Sequence, residues 1–325
     1  MRKKWMAMAA AAVLISGCAS AEPANTNEQR NEINPLTGVE SSDTARRTMA
    51  VVVSNHPSAR PQTALDEADM VYEILTEGGI TRFLALYQSE YPDKIGPVRS
   101  ARDYFIELAE GYNALFLAHG YSPEAQGILL SGDIDQLNGI QYDGGVFKRD
   151  GSQKEPHNSY VDVEQALDVA EQKGYSLDAA PSRLSFLTEK EERSLTGEPA
   201  ETLSIRPSSN DLFESVYEFD GDSYHRSIGG AEVRTDNIFV IEADHRVIDA
   251  KGRLDIDLKS GGDAFLIQDG LLNLVKWRNQ NGRIVPYTEN GAAFVTGKTW
   301  IHIVPASRGL NKAVNVEIDG EGNGS

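Results

Sequence analysis

A single cysteine, Cys18, in 325 residues removes disulfides from the means by which this chain can hold a fold. One thiol cannot pair within the chain, so stability must come from buried apolar cores. Composition supplies the material: 40% of residues are hydrophobic and 25% charged, with 29 glycines and 13 prolines spread along the sequence. That is an ordinary globular composition, long enough for about two domains. The formal net charge is −18, and loss of Arg2, Lys3 and Lys4 with a cleaved leader would make it −21. A polyanion of this size is a poor partner for nucleic acid, and none is expected.

The position of the cysteine is as informative as its solitude. Arg2, Lys3 and Lys4 form a basic start, Trp5 to Ile15 an apolar run, and Ser16-Gly17 a pair of small residues directly before Cys18. The pattern is that of a secretory signal ending in a bacterial lipobox, with Ile15 where leucine is commonest. It predicts diacylation of Cys18, cleavage before it, and attachment to the outer face of the cell membrane through the acyl chains. The apolar run is too short to remain as a spanning helix, and no other run approaches the ~20 residues that spanning requires.

Residues 19–33 are small and polar, with no apolar periodicity, and read as a flexible tether. An N-terminal α/β domain over 34–187 is expected, a mixed sheet flanked by helices. Its strands would be Met49–Val53, a continuous apolar run suited to burial on both faces, the β-like runs Met70–Leu75 and Arg82–Tyr87, and Ala114–Ala118, another buried strand. Helices are expected after Gly96-Pro97, with Ser100 as cap, after Ser122-Pro123-Glu124, and over Val163–Lys173, where Asp162 and Gln165 have capping spacing. Residues 188–209 read as an acidic linker. A smaller all-β domain over 210–316 then carries hairpin signals at Asp269-Gly270, Asn281-Gly282 and Asn290-Gly291, with Trp277 and Trp300 in the core of a sandwich or barrel. The tail 317–325 reads as disordered. The fold class is thus α+β overall.

No Gly-x-Ser-x-Gly, P-loop, His-Glu-x-x-His or Cys-x-x-Cys motif is present, and the six histidines share no metal-ligand spacing. Neither a cofactor nor a metal is expected. What stands out is a local reversal of charge. Between Arg82 and Arg102 the charged residues sum to +2 in a chain of −18. Arg82 opens a strand, and Arg99 and Arg102 lie at a strand-to-helix transition, where guanidinium forks and free N–H groups suit a phosphate or carboxylate. Ion pairing with Glu73, Glu77 or Asp103 is the structural alternative. A second cluster holds Arg149 and, across a short turn, His157 and Asn158, with Arg149 and His157 placed to face one another. Glu77, His119 and His157 are candidate proton carriers, with Asn158 beside them. In an α/β crevice these groups would gather at strand ends.

Several of these segments carry a family resemblance. Asn34-Pro35-Leu36-Thr37-Gly38, Ala59-Arg60-Pro61-Gln62, Glu77-Gly78-Gly79-Ile80-Thr81-Arg82-Phe83, Gly96-Pro97-Val98-Arg99-Ser100-Ala101-Arg102, Pro156-His157-Asn158 and Gly297-Lys298-Thr299-Trp300 resemble the YerB-like bacterial lipoproteins. The resemblance implies a two-domain lipoprotein of the Gram-positive envelope with no established activity. A weaker one, to LytR-CpsA-Psr phosphotransferases, rests on Thr81-Arg82, Arg102-Asp103 and Phe147-Lys148-Arg149-Asp150 in that order; the metal-holding aspartate of that family is replaced here by Phe83-Leu84. Three readings stay open. The chain binds an anionic envelope component, such as a cell-wall polymer or lipid-linked precursor, or a wall-synthesis protein. Or it is an enzyme on phosphate-bearing or glycan wall precursors. Or it is an envelope scaffold without a small ligand.

Overall fold

The continuous apolar run at Met49–Val53 becomes a strand buried on both faces, as the sequence predicts. The computed structural model describes residues 32–41, 43–289 and 291–317; the leader with Cys18, the tether to residue 31 and the tail from 318 lie outside the described residues. In chain order the first half contributes β1 (Met49–Ser54), β2 (Met70–Leu75), β3 (Thr81–Tyr87), α1 (Asp103–Gly111), β4 (Leu115–Ala118), α2 (Pro123–Ser131), β5 (Gln136–Asn138), β6 (Phe147–Arg149), β7 (Ser159–Asp162) and α3 (Val163–Gln172). Every residue of β1 to β4 is buried. Alternate residues of these strands feed two cores: Ala50, Val52, Tyr72 and Leu84 meet α1 and α2 on one face, while Val51, Val53, Phe83 and Leu117 join the core that includes Ala166 and Ala170 of α3.

Helix starts follow local chemistry. Ser122 Oγ accepts from Ala125 N (3.2 Å), and Asp162 Oδ1 from Gln165 N (3.2 Å), as expected. Ser100 does not cap α1. Arg102 occupies that position without a side-chain cap bond, and Ser100 Oγ instead donates to His119 O (3.1 Å).

The second half adds β8 (Thr202–Ile205), β9 (Ser215–Phe219), β10 (Tyr224–Ile228), β11 (Ala231–Thr235), β12 (Asn237–Ala243), β13 (Gly262–Gln268), β14 (Leu271–Gln280), β15 (Arg283–Tyr287), β16 (Thr299–Pro305) and β17 (Val314–Glu317). These strands do not close on themselves as a barrel or free-standing sandwich. β16 pairs in parallel with both β12 and β2, so one eleven-stranded sheet runs Glu198–Pro199, β14, β13, β12, β16, β2, β3, β1, β4, β5, with β15 on β14. The reason lies in β16, whose first six residues are buried and so need neighbours on both edges and both faces. A five-stranded sheet, β11-β10-β9-β8-β17, packs on one face of it through Leu203, Ile205, Tyr217 and Tyr224.

Other expectations shift too. Residues 198–199 and 202–205, read as linker, are strands in these two sheets, and Glu32–Ile33, read as tether, pair with Glu40–Ser41. Asp269-Gly270 and Asn281-Gly282 turn the β13–β14 and β14–β15 hairpins with positive φ at all four residues. Asn290 lies outside the described residues, and Phe294 makes one isolated bridge to Phe186 in place of a strand. The second turn also fixes contact between the halves. A Cβ on Gly111 at the end of α1 would fall 2.4 Å from the backbone of Gly282; only glycines let these backbones meet.

Between the two sheets lies a buried polar network centred on Glu73 of β2. Its carboxylate accepts from Asn55 Nδ2 (3.0 Å), Thr81 Oγ1 (2.9 Å), Ser215 Oγ (3.3 Å), Arg226 Nη1 (2.9 Å) and Trp300 Nε1 (3.3 Å). Arg226 Nη1 also donates to Tyr217 Oη (3.0 Å). The phenol therefore gives its own proton to His302 Nε2 (2.9 Å), which leaves the imidazole proton on Nδ1, 3.7 Å from Glu73. Burial lowers His302 to about 4 despite Glu73, so it is neutral at pH 7. For Glu73, burial pushes upward and Arg226 and His302 pull down further, leaving it below the usual carboxylate value and ionised.

Removing one partner of a buried ion pair strands the other charge. Arg226→Ala should therefore lower unfolding free energy in urea by about 3–5 kcal/mol, and Arg226→Met combined with Glu73→Leu should recover most of that loss. A cost below about 1 kcal/mol for the single variant would show that Glu73 finds compensation elsewhere.

Candidate functional site

Because β1, β2, β4 and β5 run in one direction and β3 runs against them, the carboxyl ends of the four and the start of β3 meet at one margin of the sheet. All the candidate residues from the described chain sit there. Ser54 ends β1 and His56 lies just beyond it, Glu77 follows β2, Arg82 is the second residue of β3, Arg99 and Arg102 lead into α1, and His119 follows β4. Arg149 ends β6, and His157 and Asn158 precede β7. Cys18, the predicted lipidation position, lies outside the described residues.

Three guanidiniums are gathered against one carboxylate. Arg102 makes a bidentate pair with Glu77 (Nε–Oε1 2.7 Å, Nη2–Oε2 2.7 Å) and donates to Ala101 O (2.8 Å). Arg82, 9% exposed, donates to Ser100 O (2.8 Å) and stands 3.9 Å from the same Glu77. Arg99, half-buried, donates to Pro156 O (3.0 Å) and makes no ion pair among the described residues. Burial, then Arg102 and Arg99, bring Arg82 down to about 9, still a cation at pH 7. Arg99 is lowered by burial and by Arg102. Burial works to raise Glu77, and its bonds to Arg102 outweigh this and lower it. Structural pairing thus accounts for Arg102, and Glu73, offered as a partner for these arginines, is taken by Arg226 instead.

The second cluster is a chain of hydrogen bonds. Asp143 accepts from Arg149 Nη2 (2.8 Å) and Nε (3.1 Å), Asn158 Oδ1 accepts from Arg149 Nη1 (3.0 Å), and Arg149 Nη2 lies 3.1 Å from His119 Nε2. A guanidinium can only donate, so His119 Nε2 accepts and its proton sits on Nδ1, which donates to Ser159 Oγ (2.7 Å). In this arrangement His119 cannot take a proton from Ser159. Burial and Arg149 lower the imidazole, which keeps it neutral. Gly139 makes the space: a Cβ there would lie 2.2 Å from the ring.

Arg149 and His157 do not face one another as expected. His157 instead stacks on His56 (centroids 4.6 Å, 19°) with Nδ1 3.4 Å from Ser54 Oγ, and burial with Arg99 and His56 lowers it. Four participants escaped the sequence reading: Ser54, His56, Asp143 and Ser159. The position of Ser54-Asn55-His56, at the carboxyl end of a fully buried strand, is the available signal for the first two. Asp143 is six residues from Arg149, with nothing local to link them.

Two family models match the chain: "Protein of unknown function (DUF3048) N-terminal domain" over residues 36–176 and its C-terminal domain over 206–301. A Bacillus subtilis (strain 168) protein named "Putative lipoprotein YerB" is 41% identical over 324 residues, covering 93% of this chain and 96% of that protein. The crystal structure of YerB from Bacillus subtilis superposes with a TM-score of 0.79 at 41% identity, covering 88% of this chain and all of that one.

In an NMR titration of the imidazoles, His119 should protonate below the ordinary 6.5, and Arg149→Gln should move its midpoint upward. An unmoved midpoint would mean that the guanidinium does not act on the ring.

Proposed function

We propose, from the premise that this chain belongs to the DUF3048 family, that it is a lipid-anchored envelope protein binding an anionic envelope component at the arginine-bearing margin of its sheet. The observation that carries the reading is Arg99. Its guanidinium is half-buried beside Arg82 and Arg102, the single carboxylate in the group is held by Arg102, and Arg99 itself has one backbone acceptor and no ion pair among the described residues. A cation in that position gains from an incoming oxyanion, which can accept from its remaining donors and relieve repulsion from two neighbouring cations. His157, stacked on His56, adds a donor that strengthens on protonation. The partly desolvated setting raises the worth of each such bond.

The lipid anchor is supported by Arg2 to Cys18 and by the name of the Bacillus subtilis relative. Cys18→Ser should abolish incorporation of labelled palmitate and leave the leader uncleaved. A variant that still incorporates palmitate would refute the anchor.

Binding is tested by titrating the protein with polyprenyl pyrophosphate, teichoic acid fragments and muropeptides. Arg99→Ala should weaken the preferred ligand at least tenfold, in line with ~1.5–3 kcal/mol for a hydrogen bond to a charged group, and Arg99→Lys should restore part of it. Equal affinity in wild type and Arg99→Ala would sink the site.

A further inference from the structure

A second concentration of arginine lies well apart in sequence from the first. β14 and β15 pair with Arg278 opposite Val285 and Gln280 opposite Arg283. Directly opposed residues point to the same side of a hairpin, and so do positions two apart, which puts Arg278, Gln280 and Arg283 on one face. The segment carrying Arg183 and the segment ending in Phe294 line the same cavity, of about 40 Å³. No aspartate or glutamate lines it.

Each guanidinium lacks a carboxylate partner among the described residues. Arg283 is 5% exposed, and its donors reach only two backbone carbonyls, Ser182 O from Nη1 (2.5 Å) and Gln280 O from Nε (3.5 Å). Nη2 has no hydrogen-bond acceptor among the described residues. Arg278 lies over the Tyr287 ring (4.8 Å) and reaches Gln280 Oε1 (3.3 Å), and Arg183 is exposed with no polar contact. Several other arginines of this chain are matched with carboxylates: Arg47 with Asp135, Arg226 with Glu73, Arg253 with Asp249 and Glu124. A buried cation without a counter-charge is costly; Arg283 is one such cation, and the exposed Arg183 and Arg278 line the same cavity in a chain of −18.

We infer that this cavity is a second anion site, taking a single oxyanion group, a phosphate or a carboxylate, between Arg183, Arg278 and Arg283. The oxyanion accepts from Arg283 Nη2 at the base and from Arg183 and Arg278 at the mouth, while Leu184 and Phe294 supply an apolar wall for whatever carries the group. The space admits a polar head of a few heavy atoms and no ring system. The inference is independent of the Arg99 margin.

The test is calorimetric titration of the full-length protein with inorganic phosphate, and separately with acetate, in an Arg99→Gln background that silences the first site. The Arg99→Gln protein should still bind phosphate, and adding Arg183→Gln with Arg278→Gln should weaken that binding at least tenfold. Both added positions are exposed, so folding is retained, and an unchanged urea midpoint verifies it. Arg193→Gln, an exposed arginine paired with Glu189, should leave binding intact and so separates the site from a general charge effect. Acetate in place of phosphate identifies a carboxylate as the preferred head. Absence of binding of either anion in the Arg99→Gln background, or binding unaffected by the double change, overturns the proposal. If Arg99→Gln alone changes nothing while the double change abolishes binding, this site stands and the Arg99 margin falls.

Discussion

Glu73 carries a charge where no water reaches it, and much of the architecture is arranged around that fact. Five side chains donate to it or pair with it, and they come from both sheets and both halves of the chain: Asn55 and Thr81 from the first, Ser215, Arg226 and Trp300 from the second. A buried ion pair is weak evidence of stability in itself, since apolar groups of the same shape can do as well. What it does impose is geometry, because hydrogen bonds tolerate little displacement. Arg226 Cζ lies over Trp300 (4.8 Å) and Tyr217 (5.2 Å), so the second sheet is held over β2 and β16 in one place. The same carboxylate fixes the residues flanking the arginine margin: Asn55 lies between Ser54 and His56, and Thr81 directly precedes Arg82. Scaffold and candidate site are therefore parts of one polar network.

At that margin the sign of the local charge is opposite to that of the whole chain. Glu77 is shared by Arg102 at 2.7 Å and Arg82 at 3.9 Å, and cannot also neutralise Arg99. Arg149, by contrast, is matched by Asp143 and spends its remaining donors on Asn158 and His119. It is better described as the group that positions His119 than as a free cation. The two clusters thus divide their labour: one holds surplus charge, the other is internally satisfied and rigid.

Strands were legible where burial is complete. Met70–Leu75 is uniformly apolar around Glu73 and was read to the residue; Met49–Val53 gained only Ser54. Caps at Ser122 and Asp162, and the Asp-Gly and Asn-Gly turns, were legible because their chemistry is local. The Gly229-Gly230 hairpin between β10 and β11 is not legible because Tyr224-His225-Arg226-Ser227-Ile228 puts three polar residues in a row, where the alternation that would mark a strand is one of burial and the buried middle residue is an arginine. The joining of the halves could not be read at all. It depends on Trp300 lying beside Val71 and His302 beside Glu73, contacts across more than two hundred residues that leave no local pattern. Likewise the arginine-rich segments showed where positive charge collects, while which arginine would be left without a partner was a matter of three-dimensional placement.

The parallel pairing of β16 with β2 also has a bearing on time. A chain made from its N-terminus presents β2 long before residues 299–303 exist to lie beside it, so until then one edge of the first half's sheet has unpaired N–H and C=O groups. Closing a contact of that sequence separation is slow compared with forming the β14–β15 hairpin or α1. The seam is thus the last interior piece of the sheet to be laid down, and for that interval the nascent protein is open to pairing with another strand of its own kind.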